Sequence, residues 1–236
     1  MTIFIHKSDT RGTADHGWLK SHHTFSFSNY YNPDRKGFGL LRVINDDVVQ
    51  PSMGFGTHHH DNMEIISIPI VGSLKHKDNM GNKHIIRAGE VQIMSAGTGI
   101  THSEYNNSDS EAVNFLQIWV LPQKKDIAPR YEQKVFPKED RQNIFQPLVS
   151  PEPNSCSLWI NQNAYFSMVN LDRDKSVNYG THSEKNGVYV FIISGSIQVL
   201  STKLSDRDGM GITDKRDIFL DAIEDSQMLF MEVPMK

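Results

Sequence analysis

Two short segments of the chain each place a pair of metal-binding side-chain types two residues apart. The first pair is His58 and His60, and the second is His102 and Glu104. In a β-strand, residues i and i+2 point to the same face at a separation of about 6.6 Å, whereas on a helix they lie about 200° apart. The spacing therefore predicts two facing strands that present three imidazoles and one carboxylate, with His59 pointing the other way.

Three imidazoles and one carboxylate form a ligand set that suits a borderline divalent transition metal. Because the set contains no thiolate, a closed structural zinc site is disfavoured, and four protein ligands leave coordination positions for exogenous molecules. Iron, nickel, cobalt, copper, manganese and zinc all remain open from the ligand types, although the general affinity order would favour copper or zinc in vitro. An open position predicts catalysis or ligand sensing.

The elements that must position these residues are short apolar segments separated by turn sequences. The segments alternate with a period of two or form short solid runs, and no long segment shows the period of 3.6 expected of a helix. They predict a mostly β protein, a sandwich or barrel, with a short helix near Pro137–Asn143. The predicted strands are Leu40–Ile44, Glu64–Val71, Val91–Met94, Asn114–Leu121, Val188–Ile193 and Met228–Val233.

A change in composition predicts two domains. The segment Pro122–Pro129 is charged and bracketed by prolines, directly after a strongly apolar strand. Prolines also cluster between residues 147 and 153, which is typical of an irregular connection. We place the domains at residues 1–130 and 131–236.

A faint internal repeat supports this division. Ile65–Leu74 and Val190–Ile197 each read as a buried strand that turns at Gly-Ser into another strand. The second copy lacks the histidine pair, and its nearest candidates, His182 and Glu184, stand isolated in the sequence. We therefore expect one metal-binding barrel and one structural barrel without metal.

Composition excludes several classes of partner. The 236 residues carry 24 basic and 28 acidic side chains, a net charge of −4, without a basic cluster. Direct binding to DNA or RNA is therefore disfavoured, and small molecules and other proteins remain. The single cysteine, Cys156, cannot form an internal disulfide. With no signal-like N-terminus and no run approaching the ~20 apolar residues of a membrane span, we expect a cytoplasmic protein.

The metal-ligand segments resemble the two motifs of the cupins. Residues 54–72 are similar to the first motif, a His-x-His pair followed by Glu and Gly, and residues 89–106 to the second. The chain departs from the general pattern because Gly72 comes one residue late, Ser95 replaces a usual proline, and His102 is two residues farther from Gly89. One cupin branch, the pirins, shares these departures.

The resemblance to bacterial pirin-like bicupins extends over essentially the whole chain. The segments that carry it are Asp15–Leu19, His23–Phe27, Gly37–Phe38, Leu41–Asp47, Gly54–His58, Met63–Ile65, Ile93–Ile100, His102–Asn106 and Gln117–Trp119. It implies an all-β fold of two tandem cupin barrels, also called double-stranded β-helices or jelly rolls, with a few short helices. The C-terminal barrel is expected to be degenerate and to lack metal ligands.

The resemblance also assigns roles to individual residues. It implies that one divalent metal, iron(II) in the cell, is held by four ligands in the N-terminal domain, namely His58, His60, His102 and Glu104. Glu64 is a ligand in many other cupins but not in pirins, so we expect it to support the ligands or the fold. His59 stands where relatives often carry proline, and we expect it at the surface or in a hydrogen bond beside the site.

Pirins of this type resemble quercetin 2,3-dioxygenases. The resemblance implies that a flavonol binds the metal through its 3-oxygen and is cleaved by O₂, with release of carbon monoxide and a depside. Glu104 would then act as both ligand and base, since a carboxylate can accept the proton of the flavonol hydroxyl. The native substrate could still be another compound. Apolar side chains that could shape a flat substrate pocket are Phe25, Phe27, Phe38, Met53 and Phe55.

Two other hypotheses belong to different classes. The first is a regulatory pirin whose iron oxidation state changes its affinity for a protein partner, without turnover. The second is a cupin isomerase for sugars or small acids, which would need charged side chains such as Arg42 or Lys75 inside the barrel. Oxygen uptake during turnover separates the dioxygenase from the regulator, and anaerobic turnover would favour the isomerase.

Overall fold

The computed structural model describes residues 1–153 and 156–236. In that part of the chain the structure is almost entirely β, with 3-10 helices at Ser8–Thr10 and Lys138–Arg141. The second helix lies in the segment where the sequence predicts one. None of the helices in the described part of the chain has the length and apolarity needed to cross a membrane. The strands are β1 (Thr2–His6), β2 (Gly12–Asp15), β3 (Leu19–His23), β4 (Leu41–Val49), β5 (Gly54–His60), β6 (Glu64–Val71), β7 (Ser73–Asp78), β8 (Lys83–Arg87), β9 (Glu90–Ser95), β10 (Ile100–Asn106), β11 (Val113–Val120), β12 (Arg130–Val135), β13 (Gln146–Ser150), β14 (Leu158–Trp159), β15 (Tyr165–Leu171), β16 (Ser176–Gly180), β17 (Asn186–Ser194), β18 (Ile197–Val199), β19 (Thr202–Leu204), β20 (Gly209–Thr213), β21 (Asp217–Ala222) and β22 (Ser226–Pro234).

Each half of the molecule is a barrel made from one large and one small sheet. In the N-terminal half, a seven-stranded sheet (β12-β9-β6-β11-β4-β3-β2) faces a four-stranded sheet (β5-β10-β7-β8). In the C-terminal half, the corresponding orders are β1-β20-β17-β22-β15-β13-β14 and β16-β21-β18-β19. We call these the first and the second barrel. This architecture confirms the all-β class and the two tandem jelly rolls.

The two barrels exchange edge strands. Strand β1, from the beginning of the chain, pairs with β20 in the large sheet of the second barrel. Strand β12 pairs along the full length of β9 in the first barrel, from Arg130 opposite Ser95 to Val135 opposite Glu90. The large sheet of the first barrel therefore continues past residue 130. The division into domains 1–130 and 131–236 stays a prediction about independent folding.

The main core lies between the two large sheets. It combines side chains from the first barrel, such as Ile44 and Leu116, with side chains from the second, such as Phe191 and Leu229. Because successive residues of a strand point to opposite faces, each large sheet gives one face to this core and the other to its own barrel interior. The site described next lies in the interior of the first barrel.

Candidate metal centre

Three of the predicted ligands converge on one face of the small sheet. Strands β5 and β10 are antiparallel neighbours, with His58 opposite His102 and Ile100 opposite His60. The two histidine-bearing strands thus lie side by side in one sheet and do not face each other across the barrel. The ring centroids are 4.4 Å apart for His58 and His102, 4.8 Å for His58 and His60, and 5.1 Å for His60 and His102.

The group of His58, His60 and His102 fits a metal ion because the buried His102 has no hydrogen-bond partner among the described residues. One ring nitrogen from each of His58, His60 and His102 lies within 4.8 Å of the other two. His102 is buried, and neither of its ring nitrogens has a hydrogen-bond partner among the described residues. A buried polar atom without a partner is costly and uncommon in a folded protein. A bound cation would satisfy it.

The protonation states of the histidines also suit metal binding. Burial, together with the neighbouring imidazoles, lowers the pKa of His60 to about 4 and that of His102 to about 3. Both rings are therefore neutral at physiological pH and offer a lone pair. The Nδ1 atom of His58 donates to the carbonyl oxygen of Gly56 at 2.8 Å, so its Nε2 atom is the free acceptor. This set fits one divalent metal ion.

Glu104 is held from the opposite sheet by three donors. A β-bulge separates His102 from Glu104 on β10, and Glu104 is fully buried. Its Oε1 atom accepts from Ser67 Oγ at 3.0 Å and Gln92 Nε2 at 3.5 Å. Its Oε2 atom accepts from Gln117 Nε2 at 2.8 Å. Both oxygens are thereby fixed in orientation beside His102.

The donors to Glu104 belong to a polar row that runs across the large sheet. In the strand register, Gln92 lies opposite Ser67, Ser67 opposite Gln117, Gln117 opposite Asn45, and Asn45 opposite His23. Each of these residues is a polar side chain on the inner face of its strand. That signal is present in the sequence, although the spacing of the ligand pairs does not reveal it.

His76 is a further site residue that the ligand spacing does not identify. It lies opposite Glu104 on β7, and its ligand atom is grouped with those of His102 and Glu104 within 4.8 Å. Its Nε2 atom is 3.1 Å from Asp78 Oδ2, and its buried Nδ1 atom has no partner in the described residues. Its ring packs on Tyr131 with centroids 4.7 Å apart. Buried and exposed residues alternate along Ser73–Asp78, and this alternation puts His76 on the buried face. That pattern could have indicated His76 as a site residue.

A cavity of about 460 Å³ opens beside the histidine group. Its volume is within the ~300–1,000 Å³ typical of small-molecule sites. Two of the five predicted pocket residues, Phe27 and Phe55, line it. The residues that line it are Ala14, His16, Trp18, Leu19, Ser21, His23, Phe27, Ser28, Asn45, Asp47, Gly54, Phe55, Gly56, His58, His60, Gln117 and Trp119.

The other three predicted pocket residues lie elsewhere. Phe25 and Phe38 belong to the core between the large sheets, where each packs against Tyr189 with ring centroids 5.5 and 5.6 Å apart. Met53 is 42% exposed at the surface. The sequence shows that these side chains are apolar. It does not show that Tyr189 of the second barrel packs against Phe25 and Phe38.

Two tryptophans take the place of these residues on the cavity wall. Trp119 meets the ring of His60 edge to face at 5.0 Å and that of Phe27 at 5.3 Å. Trp18 meets Phe55 at 5.3 Å. Edge-to-face packing is a favoured geometry for aromatic pairs. The wall beside the histidines is therefore aromatic, with its rings packed edge to face.

Glu64 lies on the opposite face of the large sheet. It is three residues from Ser67 on β6, so the two side chains point to opposite sides. Its Oε2 atom accepts from Ser95 Oγ at 2.8 Å and from the backbone N–H of Asn161 at 3.2 Å, and burial raises its pKa. Glu64 thus supports the contact between the two halves and not the ligands.

The remaining candidates do not join the site. His59 exposes 57% of its side chain, as expected from its strand position. Arg42 donates to the backbone carbonyl oxygens of Ser26 and Lys36, and Lys75 is exposed on β7. Neither charged side chain lies inside the barrel, so the isomerase hypothesis loses the feature it requires.

In the second barrel, the two isolated candidates stay apart. His182 donates to the buried carboxylate of Glu232 at 2.8 Å and stacks on Tyr165 with centroids 3.7 Å apart. Glu184 is exposed. Within residues 1–153 and 156–236, the groups of three or more ligand-type side chains lie in the first barrel. The absence of metal from the second barrel stays a prediction.

Fold and site together define a bicupin with a candidate metal centre in its first barrel. Comparison with known families agrees: residues 5–120 match the Pirin model, and residues 147–233 match the model of the quercetinase C-terminal cupin domain. The chain belongs to the pirin family.

The chain is also similar to individual relatives over nearly its full length. It is 43% identical to quercetin 2,3-dioxygenase from Escherichia coli K12, across 98% of this chain and 99% of that protein. It is 40% identical to a pirin-like protein from Caulobacter vibrioides, across 95% of this chain and 96% of that protein. The crystal structure of the bacterial pirin YhhW from Escherichia coli in complex with nickel(II) superposes with a TM-score of 0.93, at 42% identity and 99% coverage of both chains.

Proposed function

We propose that this protein is a metal-dependent dioxygenase that cleaves quercetin-like flavonols with O₂. One iron(II) would be held by His58, His60, His102 and Glu104. The observation that carries the proposal is the buried His102, whose two ring nitrogens have no partner among the described residues and which lies beside a cavity with aromatic walls. The names of relatives and the nickel complex of YhhW support it.

The metal would supply a Lewis acid and a template for the flavonol 3-oxygen. Imidazole and carboxylate ligands suit iron, and the nickel bound by YhhW indicates that a related site accepts other divalent ions. Everything else in the reaction depends on the side chains of the first barrel.

Glu104 is the proposed base. It would take the proton of the flavonol 3-hydroxyl on a carboxylate oxygen while Ser67 and Gln117 continue to donate to its other lone pairs. These donors keep the carboxylate in one orientation, which is a requirement for general-base catalysis. The O–O bond and the two carbon–carbon bonds to carbon 3 would then break, carbons 2 and 4 would each gain one oxygen atom of O₂ in the depside, and carbon 3 would leave with the former 3-oxygen as carbon monoxide. Glu104 returns the proton to the depside.

The cavity wall would orient the substrate and exclude water. The ring of Trp119 lies beside that of His60, and the ring of Phe27 lies beside that of Trp119, so an aromatic substrate can pack against this wall while its 3-oxygen approaches the histidines. Trp18 and Phe55 continue the same wall. Apolar walls of this kind are typical of sites for small aromatic molecules.

The test compares Glu104→Gln with Glu64→Gln at matched metal occupancy. Glutamine keeps the shape of Glu104 and one acceptor oxygen but removes the base, so turnover of quercetin should fall by roughly 10²- to 10⁴-fold. Glu64→Gln changes an equally buried carboxylate on the other face of the sheet and should keep the rate. Oxygen uptake and carbon monoxide release measure both.

Two results would overturn the proposal. If metal-loaded wild-type protein consumes no oxygen with quercetin, the regulatory hypothesis becomes the better one. If Glu104→Gln keeps its rate at full occupancy, dioxygenation would require a different base.

A further inference from the structure

The cavity has a second polar region, on β3 and β4, apart from the metal centre. It consists of Ser21, His23, Asn45 and Asp47, all of them buried and on the cavity lining. We call these four residues the acceptor wall. Strand β3 is two strands away from β11, which carries Gln117, the partner of Glu104. At the usual strand spacing this separates the two regions by about 10 Å.

The acceptor wall presents two hydrogen-bond acceptors without partners. Asp47 Oδ1 accepts from Ser21 Oγ, whereas Asp47 Oδ2 has no hydrogen bond to any described residue. The Nδ1 atom of His23 is 2.9 Å from Asn45 Oδ1. Because an amide oxygen only accepts, Nδ1 carries the proton, and Nε2 of His23 is left as an acceptor. It too has no partner in the described part of the chain.

The neighbouring aspartate on the same strand shows the contrast. Asp46 points to the other face of β4, where Arg11 and Arg207 both lie within 3.5 Å of its carboxylate. Asp47 has no cation within salt-bridge distance among the described residues. Its burial, with the charges of Asp46 and Glu104 adding to it, raises its pKa to about 7. A buried carboxylic acid with a free oxygen is unfavourable for the fold, which is a common mark of a ligand site.

The chemistry of the wall selects a class of ligand. Free acceptors at Asp47 Oδ2 and His23 Nε2 require O–H or N–H donors, and the aromatic walls between them and the metal centre require a flat molecule. We propose that the acceptor wall binds hydroxyl groups on the ring of the substrate farthest from the metal, so that the protein prefers flavonols whose distal ring carries hydroxyls. This inference rests on the proposed function and names the part of the substrate that the cavity selects.

The experiment measures binding and not turnover. Dissociation constants are determined anaerobically for metal-loaded protein with quercetin and with galangin, which keeps the 3-, 5- and 7-hydroxyls but lacks the hydroxyls of the distal ring. At pH 8, above the pKa of Asp47, Asp47→Asn should weaken quercetin binding about tenfold, because a bond to a charged acceptor is replaced by a bond to a neutral one. Binding of galangin should not change. Ser21→Ala, which removes the donor that orients Asp47, should weaken quercetin binding in the same direction.

Thermal unfolding of Asp47→Asn controls for folding. The variant removes a buried acid and should be at least as stable as wild type above pH 7, so a loss of binding cannot be a loss of structure. Equal weakening of both flavonols, or no weakening of quercetin, would overturn the inference.

The outcome is separable from that of the proposed function. Hydroxyl-dependent binding in a protein that consumes no oxygen would support the acceptor wall and overturn the dioxygenase. Oxygen-dependent cleavage with equal affinity for both flavonols, unchanged in Asp47→Asn, would do the reverse.

Discussion

The interiors of the two barrels are filled with different kinds of side chain. In the second barrel, one continuous apolar cluster extends from Val169 to Phe230. In the first barrel, the apolar side chains form two small clusters, one around Phe115 and one around Ile65. Between them lie the histidines, Glu104 and the polar row. The same fold thus devotes one interior to packing and the other to a site.

The two interiors also differ in how they satisfy buried polar groups. Glu232, in the second barrel, accepts hydrogen bonds from Tyr179, Asn186 and both the backbone and the ring of His182. His102, in the first, has none to either ring nitrogen within the described residues. The second barrel thus satisfies its buried carboxylate internally, whereas the first leaves a buried imidazole open until a ligand arrives.

Truncation of the second interior should have the largest effect on stability. Phe230 is fully buried and packs on Phe145 and Tyr179 with ring centroids 4.8 and 5.0 Å apart. Phe230→Ala should lower the free energy of unfolding by about 3–5 kcal/mol, because it leaves a cavity. Denaturant unfolding measures this. Phe230→Leu, a milder change, should keep full metal occupancy, and a parallel loss of metal would show that the two interiors do not divide the roles.

Removal of a donor to Glu104 should have the opposite profile. Gln117→Leu keeps the volume of the side chain but removes its hydrogen bond to Glu104 Oε2. Metal affinity should therefore fall about 10- to 100-fold. The free energy of unfolding of the metal-free protein should change little. Gln133→Leu is the matched control, since Gln133 donates to Ile85 O and Glu90 and not to Glu104. Competition with a chelating dye gives the affinities. Similar affinities for both variants would contradict the role of the polar row.

The smallest effect concerns the response of the second barrel to acid. Burial alone would raise the pKa of Glu232, but hydrogen bonds from His182 and Asn186 bring it below its ordinary value of 4.5. The stability that these bonds contribute is therefore present above that value and is lost as the pH falls through the lowered pKa. Glu232→Gln should be less stable than wild type at pH 7 and lose less stability below pH ~4.5.

Glu64 provides the internal comparison for the acid response. Burial raises its pKa, so its contribution to stability has the opposite sign and is lost as the pH rises through the raised pKa. Glu64→Gln should therefore gain stability relative to wild type at neutral pH. Melting temperatures of both variants between pH 3 and pH 8, measured without metal, test the pair. Parallel profiles would contradict the assigned directions.

The sequence predicts most of the fold because the strands alternate clearly. Glu64–Val71 has the bounds of β6 as predicted, and Asn114–Leu121 matches β11 within one residue at each end. The exchange of β1 and β12 between the barrels could not be predicted. Both are short edge strands, and their partners lie far away in the sequence, where local periodicity carries no information about pairing.

The site divides in the same way. Spacing alone put His58 and His60 on one strand face, but it could not show that β5 and β10 are neighbours in one sheet. It also missed His76 and the polar row, which depend on long-range register. The prediction that Phe25 and Phe38 line the pocket was wrong because both lie in the core between the large sheets, which is formed by both halves of the chain.

The most direct test of the division between the barrels is metal stoichiometry in three single variants. We expect one metal per chain in wild-type protein, one in His59→Ala and His182→Ala, and none in His102→Ala, with all four proteins folded by circular dichroism. Elemental analysis after dialysis supplies the counts. Equal loss of metal from His59→Ala and His102→Ala, or a second metal per chain that His182→Ala removes, would contradict the account.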